Sequence, residues 1–228
     1  MTESLAPRTD YSGDGLDERD LAATPFRQAD RWIREAVERA STGADVPEPT
    51  ALSLATVDEL GVPDVRTVLM RFFEPEGLGF VTSLSSTKSR QLVSNPSVAA
   101  SLTWPSMFRA IRVRGRAERL ADEQVSAYFA SRPWGSRISA WTSDQSAPIG
   151  SRADLEARYA EFAARYPDTG SPADVPRPPG WGGWRIVPHE VEFWGGRRSR
   201  LHDRLVFSKI APGTLDDEQA WSVSRRQP

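Results

Sequence analysis

ALSLATVDELGVPDVRTVLMRFFEPEGLGFVT, residues 51–82, decides the fold class. Three short apolar runs, ALSLATV (51–57), VRTVLMRFF (65–73) and LGFVT (78–82), are rich in β-branched and aromatic residues. DELGVP and EPEG separate them and carry the glycine, proline and acids of turns. Connections this short join antiparallel neighbours, because a parallel pair needs a crossover of roughly a dozen residues or more. The stretch therefore predicts consecutive hairpins in an antiparallel sheet.

The flanking sequence fills out that sheet. Upstream, Thr24 and Pro25 read as a helix start, and Phe26, Ala29, Trp32, Ile33, Ala36, Val37 and Ala40 recur at three and four, so the spacing predicts a helix to about residue 41. Residues 1–23 are polar with Gly13, Gly15 and scattered acids, and read as a flexible N-terminal arm; STGADVPEPT (41–50) reads as a linker. Downstream, 86–95 predicts a short helix stopped by Pro96, and VAASLTW (98–104) and RAIRVRGRAERL (109–120) two more strands. Helices follow over 122–131 and 134–142, broken at Pro133, and Ser151 with Asp154 opens another with Leu155, Tyr159, Phe162 and Ala163 on one face. After a proline-rich linker, PDTGSPADVPRPPGWGG (167–183), strands are expected around 184–188, 191–194 and 204–208, with a last one near Trp221. Five to eight hairpin-linked strands interrupted by helices predict a mainly β, α+β fold: a small closed antiparallel barrel with helices packed around it, one domain over 24–228.

Composition removes several functions. The chain has no cysteine, so disulfides, thiolate nucleophiles and sulfur-ligated metals are excluded, and with only His189 and His202 no three-histidine metal site exists in one chain. A formal charge of −2 gives no global pull toward nucleic acid or an anionic membrane. No run of 18 apolar residues occurs and no basic-then-apolar leader opens the first thirty, which predicts a cytoplasmic protein without a membrane span. Neither GxGxxG after a strand nor GxxxxGK[ST] is present, so the dinucleotide and P-loop signatures are missing.

Local basic chemistry is concentrated instead. WGGRRSRLHDR (194–204) holds an indole, four arginines and one of the two histidines, and Arg200, His202 and Arg204 at spacing two would share one face of an extended segment. Such a face reads an anion or a heteroaromatic ring, or is a solvated basic edge. Arg66 and Arg71 precede Ser85, Ser86, Thr87 and Lys88 at a predicted helix N-terminus, where free N–H groups suit a phosphate; the hydroxyls alone would equally serve as caps. Tyr128 and Arg132, four apart, present a phenol and a guanidinium together with Ser136 just beyond Pro133, a phosphate grip or a core tyrosine beside a solvated arginine. Gln145 and Ser146 could meet the polar edge of a flavin or pyrimidine ring, or be an ordinary loop pair.

RTVLMR (66–71), SSTKSRQL (85–92), SRPWGS (131–136), SAW (139–141) followed by QS (145–146), PPGWGGWRI (178–186), VEFW (191–194) and RLHDR (200–204) occur in the order and spacing of one family. Over roughly residues 8–228 the chain resembles the pyridoxine (pyridoxamine) 5′-phosphate oxidases. The resemblance implies an FMN-binding split β-barrel homodimer, with active sites at the interface built from both chains and a C-terminal dimerisation and active-site segment. It implies that Arg66, Ser86, Thr87 and Lys88 hold the FMN phosphate, with Arg71 close by. Val68, Leu69, Val81 and Thr82 would line the flavin, and Gln145, Ser146, Trp194 and Arg204 would close round it. Arg71, Tyr128, Arg132 and Ser136 match the grip on the substrate phosphate, Arg200 and His202 the groups over the reacting pyridine ring, and Arg8 with Tyr11 an arm that folds over the site. The implied reaction oxidises pyridoxine or pyridoxamine 5′-phosphate to pyridoxal 5′-phosphate with O2, giving H2O2. The alternatives are a phenazine-pathway type of flavin oxidase and a non-catalytic carrier of FMN or pyridoxal phosphate.

Three positions depart from the family pattern. Arg71 stands where a lysine is common, Thr87 where a basic residue is frequent, and Ala110 where a glutamine is expected. All three bear on how tightly phosphate or flavin is held.

Overall fold

A computed structural model of the chain describes residues 10–43 and 45–228. The strands are β1 Ala51–Val57, β2 Pro63–Leu69, β3 Phe72–Glu74, β4 Gly77–Ser83, β5 Ser97–Trp104, β6 Arg109–Arg119, β7 Trp181–Gly195, β8 Asp203–Lys209 and β9 Trp221–Arg225. The helices are α1 Pro25–Thr42, α2 Thr87–Ser94, α3 Asp122–Ser131, α4 Trp134–Thr142 and α5 Arg152–Arg165. Every strand pairing is antiparallel, in the order β2-β1-β5-β6-β7-β4-β3, with β8 on β7 and β9 on β8.

The predicted 65–73 strand is two strands, and the break between them closes the barrel. At the end of β2 the Met70 N–H still bonds the Thr50 carbonyl beside β1, at 2.9 Å, whereas the next N–H, of Arg71, bonds Gly79 of β4 at 2.8 Å. The chain thus leaves one edge of the sheet and joins the other within a single residue step, bringing β2 beside β4.

Alternation along the strands sets the core. Leu102, Ile111, Phe193 and Leu205 stand in one cross-strand row, and Ala100, Val113, Val191 and Phe207 in the next, all buried. Their neighbours Arg112, Arg114, Glu190 and Glu192 lie on the opposite face. Helix α1 starts at Thr24, whose hydroxyl accepts the Arg27 N–H at 3.2 Å, with Pro25 in the first turn. Its buried Ala29, Trp32, Ile33 and Ala36 cover the barrel, and the Trp32 ring meets Phe193 edge-on at 5.4 Å. A second apolar cluster, Leu120, Val125, Phe129, Ile138, Val175 and Trp181, holds α3, α4 and α5 against the start of β7.

The structure corrects three expectations. Among the described residues nine strands form rather than five to eight, because β3 splits off and β9 pairs fully with β8. The separate 184–188 and 191–194 strands are one long β7 that begins at Trp181, inside the predicted linker. A bulge at His189 absorbs Pro188: the register slips between Arg114 and Gly115, and Gly115 lies so close to the Val187 carbonyl that no Cβ fits. Finally, Arg200, His202 and Arg204 do not share a strand face. Residues Arg198–Arg200 form a tight turn with Ser199 and Arg200 at φ 58° and 64°, and β8 begins only at Asp203.

Candidate active site

The seam between β2 and β4 opens into a cavity of about 500 Å³, in the size range of small-molecule sites. Thr67, Val68 and Leu69 of β2 form one wall and Val81 and Thr82 of β4 another; Arg71, Lys88 and Gln145 line it, and Tyr128, Ser131, Arg132, Pro133 and Ser136 complete it from the α3–α4 junction. Helices α2 and α4 both begin at this cavity, and at neither does the N-cap residue's own side chain accept a helix N–H.

Among the described residues, three cations here have no carboxylate partner: Lys88, Arg132 and the more exposed Arg71. Lys88 is 7% exposed, and its Nζ donates to Gln145 Oε1 at 2.8 Å and Thr82 Oγ1 at 3.2 Å, both neutral acceptors. Burial first, then the Arg66 guanidinium, pushes its pKa down to about 8, with Asp64 opposing. Arg132 caps the end of α3, its guanidinium carbon 4.9 Å from the Trp181 ring centroid and 5.7 Å from that of Phe129. Its Nη1 is buried with no hydrogen-bond partner, and burial pushes its pKa down, with Tyr128 opposing and Arg71 adding. A guanidinium with a buried, unmatched Nη1 in the same cavity as a lysine that meets only neutral acceptors is a donor set suited to an anion.

The other phosphate candidates sit around this cavity with their groups engaged. Arg66 is held by Asp64, Thr56 and Gln91, the last at 3.0 Å. The Ser86 hydroxyl donates to the Ser83 carbonyl at 2.7 Å, the Thr87 hydroxyl accepts from Arg90, and the Thr87 N–H meets Ser146 Oγ at 3.3 Å. Ser146 itself holds φ 75°, which turns the 145–146 loop back onto α2.

The remaining candidates form a second group elsewhere. Trp194 packs against His202 with centroids 4.7 Å apart, Tyr11 lies 5.2 Å from His202 and 5.2 Å from Phe108, and the Arg200 guanidinium sits 4.9 Å from the Tyr11 ring. His202 Nδ1 accepts the Arg197 N–H at 3.1 Å, so the neutral ring carries its proton on Nε2; burial and Arg200 lower its pKa. Arg204 is spent on Glu192, with contacts of 3.0 and 2.8 Å. Arg8 lies outside the described residues.

Strand β7 measures the distance between the groups. Val81 pairs with Gly183 near its start, and Trp194 lies near its end, roughly 35 Å away at about 3.3 Å per residue. No small ligand spans both groups within one chain. Sequence reasoning missed Trp181, which backs Arg132, and the buried Glu192 and Asp203, which pin Arg204 and Arg197; their partners are set by strand register and carry no local signal.

The fold and the cavity together define an antiparallel split-barrel protein with a small-molecule site, and comparison gives its family. Residues 42–166 match the pyridoxamine 5′-phosphate oxidase family and residues 181–228 the pyridoxine 5′-phosphate oxidase C-terminal dimerisation region. Proteins named pyridoxine/pyridoxamine 5′-phosphate oxidase from Burkholderia mallei and Burkholderia pseudomallei are each 45% identical over 228 residues, all of both chains. The chain belongs to the pyridoxamine 5′-phosphate oxidase family. Among solved structures, PhzG from Burkholderia lata, in complex with tetrahydrophenazine-1-carboxylic acid, is 28% identical with a TM-score of 0.81, covering 96% of this chain and 100% of that one. A pyridoxamine 5′-phosphate oxidase-related, FMN binding protein from Nostoc punctiforme, 20% identical with a TM-score of 0.67 and 91% and 100% coverage, shares the fold. Family membership makes the chain an oxidase-type flavoprotein with FMN as cofactor, and the C-terminal region supports a homodimer. The cavity fits that cofactor: Lys88 and the N-terminus of α2 suit a terminal phosphate, and the β2 strand offers a flat wall. Among the described residues no helix is long and apolar enough to cross a membrane.

Proposed function

We propose that the protein oxidises pyridoxine 5′-phosphate or pyridoxamine 5′-phosphate to pyridoxal 5′-phosphate, with O2 as acceptor and H2O2 as co-product, the amine also consuming water and releasing ammonia, in two sites shared across a homodimer. The observation that carries this reading is the buried, unpartnered Arg132 Nη1 in a cavity that also holds Lys88 and Arg71: cations without carboxylate partners suit phosphates, one of cofactor and one of substrate. Bound FMN supplies a two-electron acceptor that O2 can re-oxidise. Lys88, with the start of α2, anchors the cofactor phosphate, and Val68, Leu69, Val81 and Thr82 face its ring. Arg132, Arg71, Tyr128 and Ser136 hold the substrate phosphate and so fix the ring's distance from the cofactor. From the partner chain, Arg200 and His202 would cover the ring and fix its orientation over the cofactor.

The likeness to PhzG favours a second reading, a tricyclic aromatic acid as substrate. The intact Tyr128, Arg132 and Ser136 support the phosphorylated vitamer. Oxygen uptake and peroxide release by the FMN-loaded protein, with pyridoxine 5′-phosphate, pyridoxamine 5′-phosphate, unphosphorylated pyridoxine and a dihydrophenazine carboxylate, test the choice. Fastest turnover of the phosphorylated vitamers is expected; preference for the phenazine acid overturns the reading, and flavin binding without peroxide from any of the four assigns a carrier.

A further inference from the structure

The β7–β8 turn and the N-terminal segment meet at one carboxylate. Asp203, 6% exposed, accepts the Leu16 N–H at 2.8 Å and pairs with both Arg197 and Arg225. Leu16 is itself buried in the core, and Arg225 reaches on to the Leu16 carbonyl at 3.2 Å and to Glu18 at 2.7 Å. The fit leaves no slack. Gly15 holds φ 75°, and a Cβ there would overlap the Arg197 guanidinium and the Asp203 carboxylate. Residues 10–16, inside the segment expected to be a flexible arm, are therefore seated on the turn.

The turn needs such support. Ser199 and Arg200 are consecutive left-handed residues with side chains, and strain of this kind persists only where the surroundings impose it. Three bonds impose it here: Asp203 on Arg197, the Arg197 N–H on His202 Nδ1, and the Ser199 N–H on Asp10 Oδ1 at 3.2 Å. Two of the three run through Arg197, and the third comes from the seated segment.

We propose that Asp203 is the positioning residue of the ring-covering half of the site: its carboxylate locks residues 10–16 and the 196–202 turn into one unit, so that Tyr11, Arg200 and His202 are presented together. This deepens the proposed function and rests on it for the identity of the ring. Without the carboxylate Arg197 loses its carboxylate partner, Arg225 keeps Glu18 but no longer reaches the turn, the Leu16 N–H is orphaned, and the left-handed turn relaxes.

Asp203→Asn and, separately, Gly15→Ala test this in the FMN-loaded protein; the second disturbs the same contact with no change of charge. Hydrogen exchange should quicken in residues 10–16 and 196–203 and stay unchanged in β5 and β6, and kcat/KM should fall about tenfold or more. The loss should be equal for phosphorylated and unphosphorylated pyridoxine, because the phosphate grip lies elsewhere. Unchanged exchange in the two segments, faster exchange spread through β5 and β6, or an unchanged kcat/KM despite a freed turn would each overturn the assignment. The exchange measurement needs no substrate, so it tests the locking of the two segments even if the substrate is a different aromatic.

Discussion

The seam cavity and the Trp194–His202 cluster differ in how their charges are matched. In the cluster every buried carboxylate is answered: Glu192 takes Arg204 and Arg112, and Asp203 takes Arg197 and Arg225. In the cavity Lys88 meets only neutral acceptors and one Arg132 nitrogen meets nothing. Leaving a buried donor unpaired costs about 1–3 kcal/mol, which a bound anion would recover for Arg132 in the cavity; Gln28 Nε2, Arg137 Nε and Arg185 Nε are also unpaired but line no part of it. The first region is built to hold its own shape, and the second to hold an anion. Ring-covering groups that must not move belong to the first kind of region, and phosphate-gripping groups to the second.

Mixed dimers give the sharpest way to break this comparison. If each site takes its cavity from one chain and its cluster from the other, Arg132→Ala and His202→Ala homodimers are both impaired, yet half of the sites in their heterodimer are native. Arg132→Ala removes a charge-assisted contact worth roughly 1.5–3 kcal/mol, about 10- to 150-fold in kcat/KM for the phosphorylated substrate and mostly in KM, since the phosphate is held alike in ground and transition states. Unphosphorylated pyridoxine should be turned over poorly and scarcely changed by the substitution. Recovery toward about a quarter of wild-type activity on refolding the two variants together fits shared sites; no recovery means each chain works alone, despite the length of β7 between its two groups. An equal loss for both substrates makes Arg132 structural.

Much of the fold was legible because its signals are local. The turn chemistry of DELGVP and EPEG, the alternation in 98–104 and 109–120, and the caps at Thr24 and Ser151 each act within a few residues. The barrel closure at Met70–Arg71 was hidden inside a run of good strand formers, since which edge an N–H bonds is a matter of register. The site was legible in part for the same reason. Motif by motif the sequence named residues that line the cavity, but the alternation of Arg200, His202 and Arg204 misled, because the pairing of Asp203 with Arg197 and Leu16 folds the segment into a turn.

Lys88 sharpens the comparison through pH. Its pKa is depressed from 10.5 to about 8, so the folded protein binds fewer protons than the unfolded chain between those values, and the flavin-free protein should gain stability as pH rises through that window. Anion binding runs the other way: above about pH 8 the lysine must first take up a proton, and FMN affinity should fall by up to about tenfold per pH unit. Flavin fluorescence titrations at pH 7, 8 and 9 read this directly. Lys88→Arg, whose charge persists, should remove the step, and an identical pH profile in that variant would mean that Lys88 does not meet the phosphate.

The smallest expected effect lies in the well-matched region. Ala110 of β6 pairs with Trp194, which pairs in turn with Arg204, so the three side chains stand in one row on the outer face of the sheet, opposite the Ile111 and Phe193 row in the core. In a shared site this row meets the flavin bound in the partner's cavity, and alanine offers it no amide where the family pattern has glutamine. Ala110→Gln should add one neutral hydrogen bond, about 0.5–1.5 kcal/mol or roughly 2- to 12-fold in FMN affinity, without altering the Lys88 pH step. The gain should be absent in a monomeric variant, because the row and the cavity then never meet. Tighter binding that persists in the monomer would put Ala110 against flavin of its own chain, which the length of β7 forbids if the cavity is the cofactor site; that one result would move the flavin out of the seam altogether.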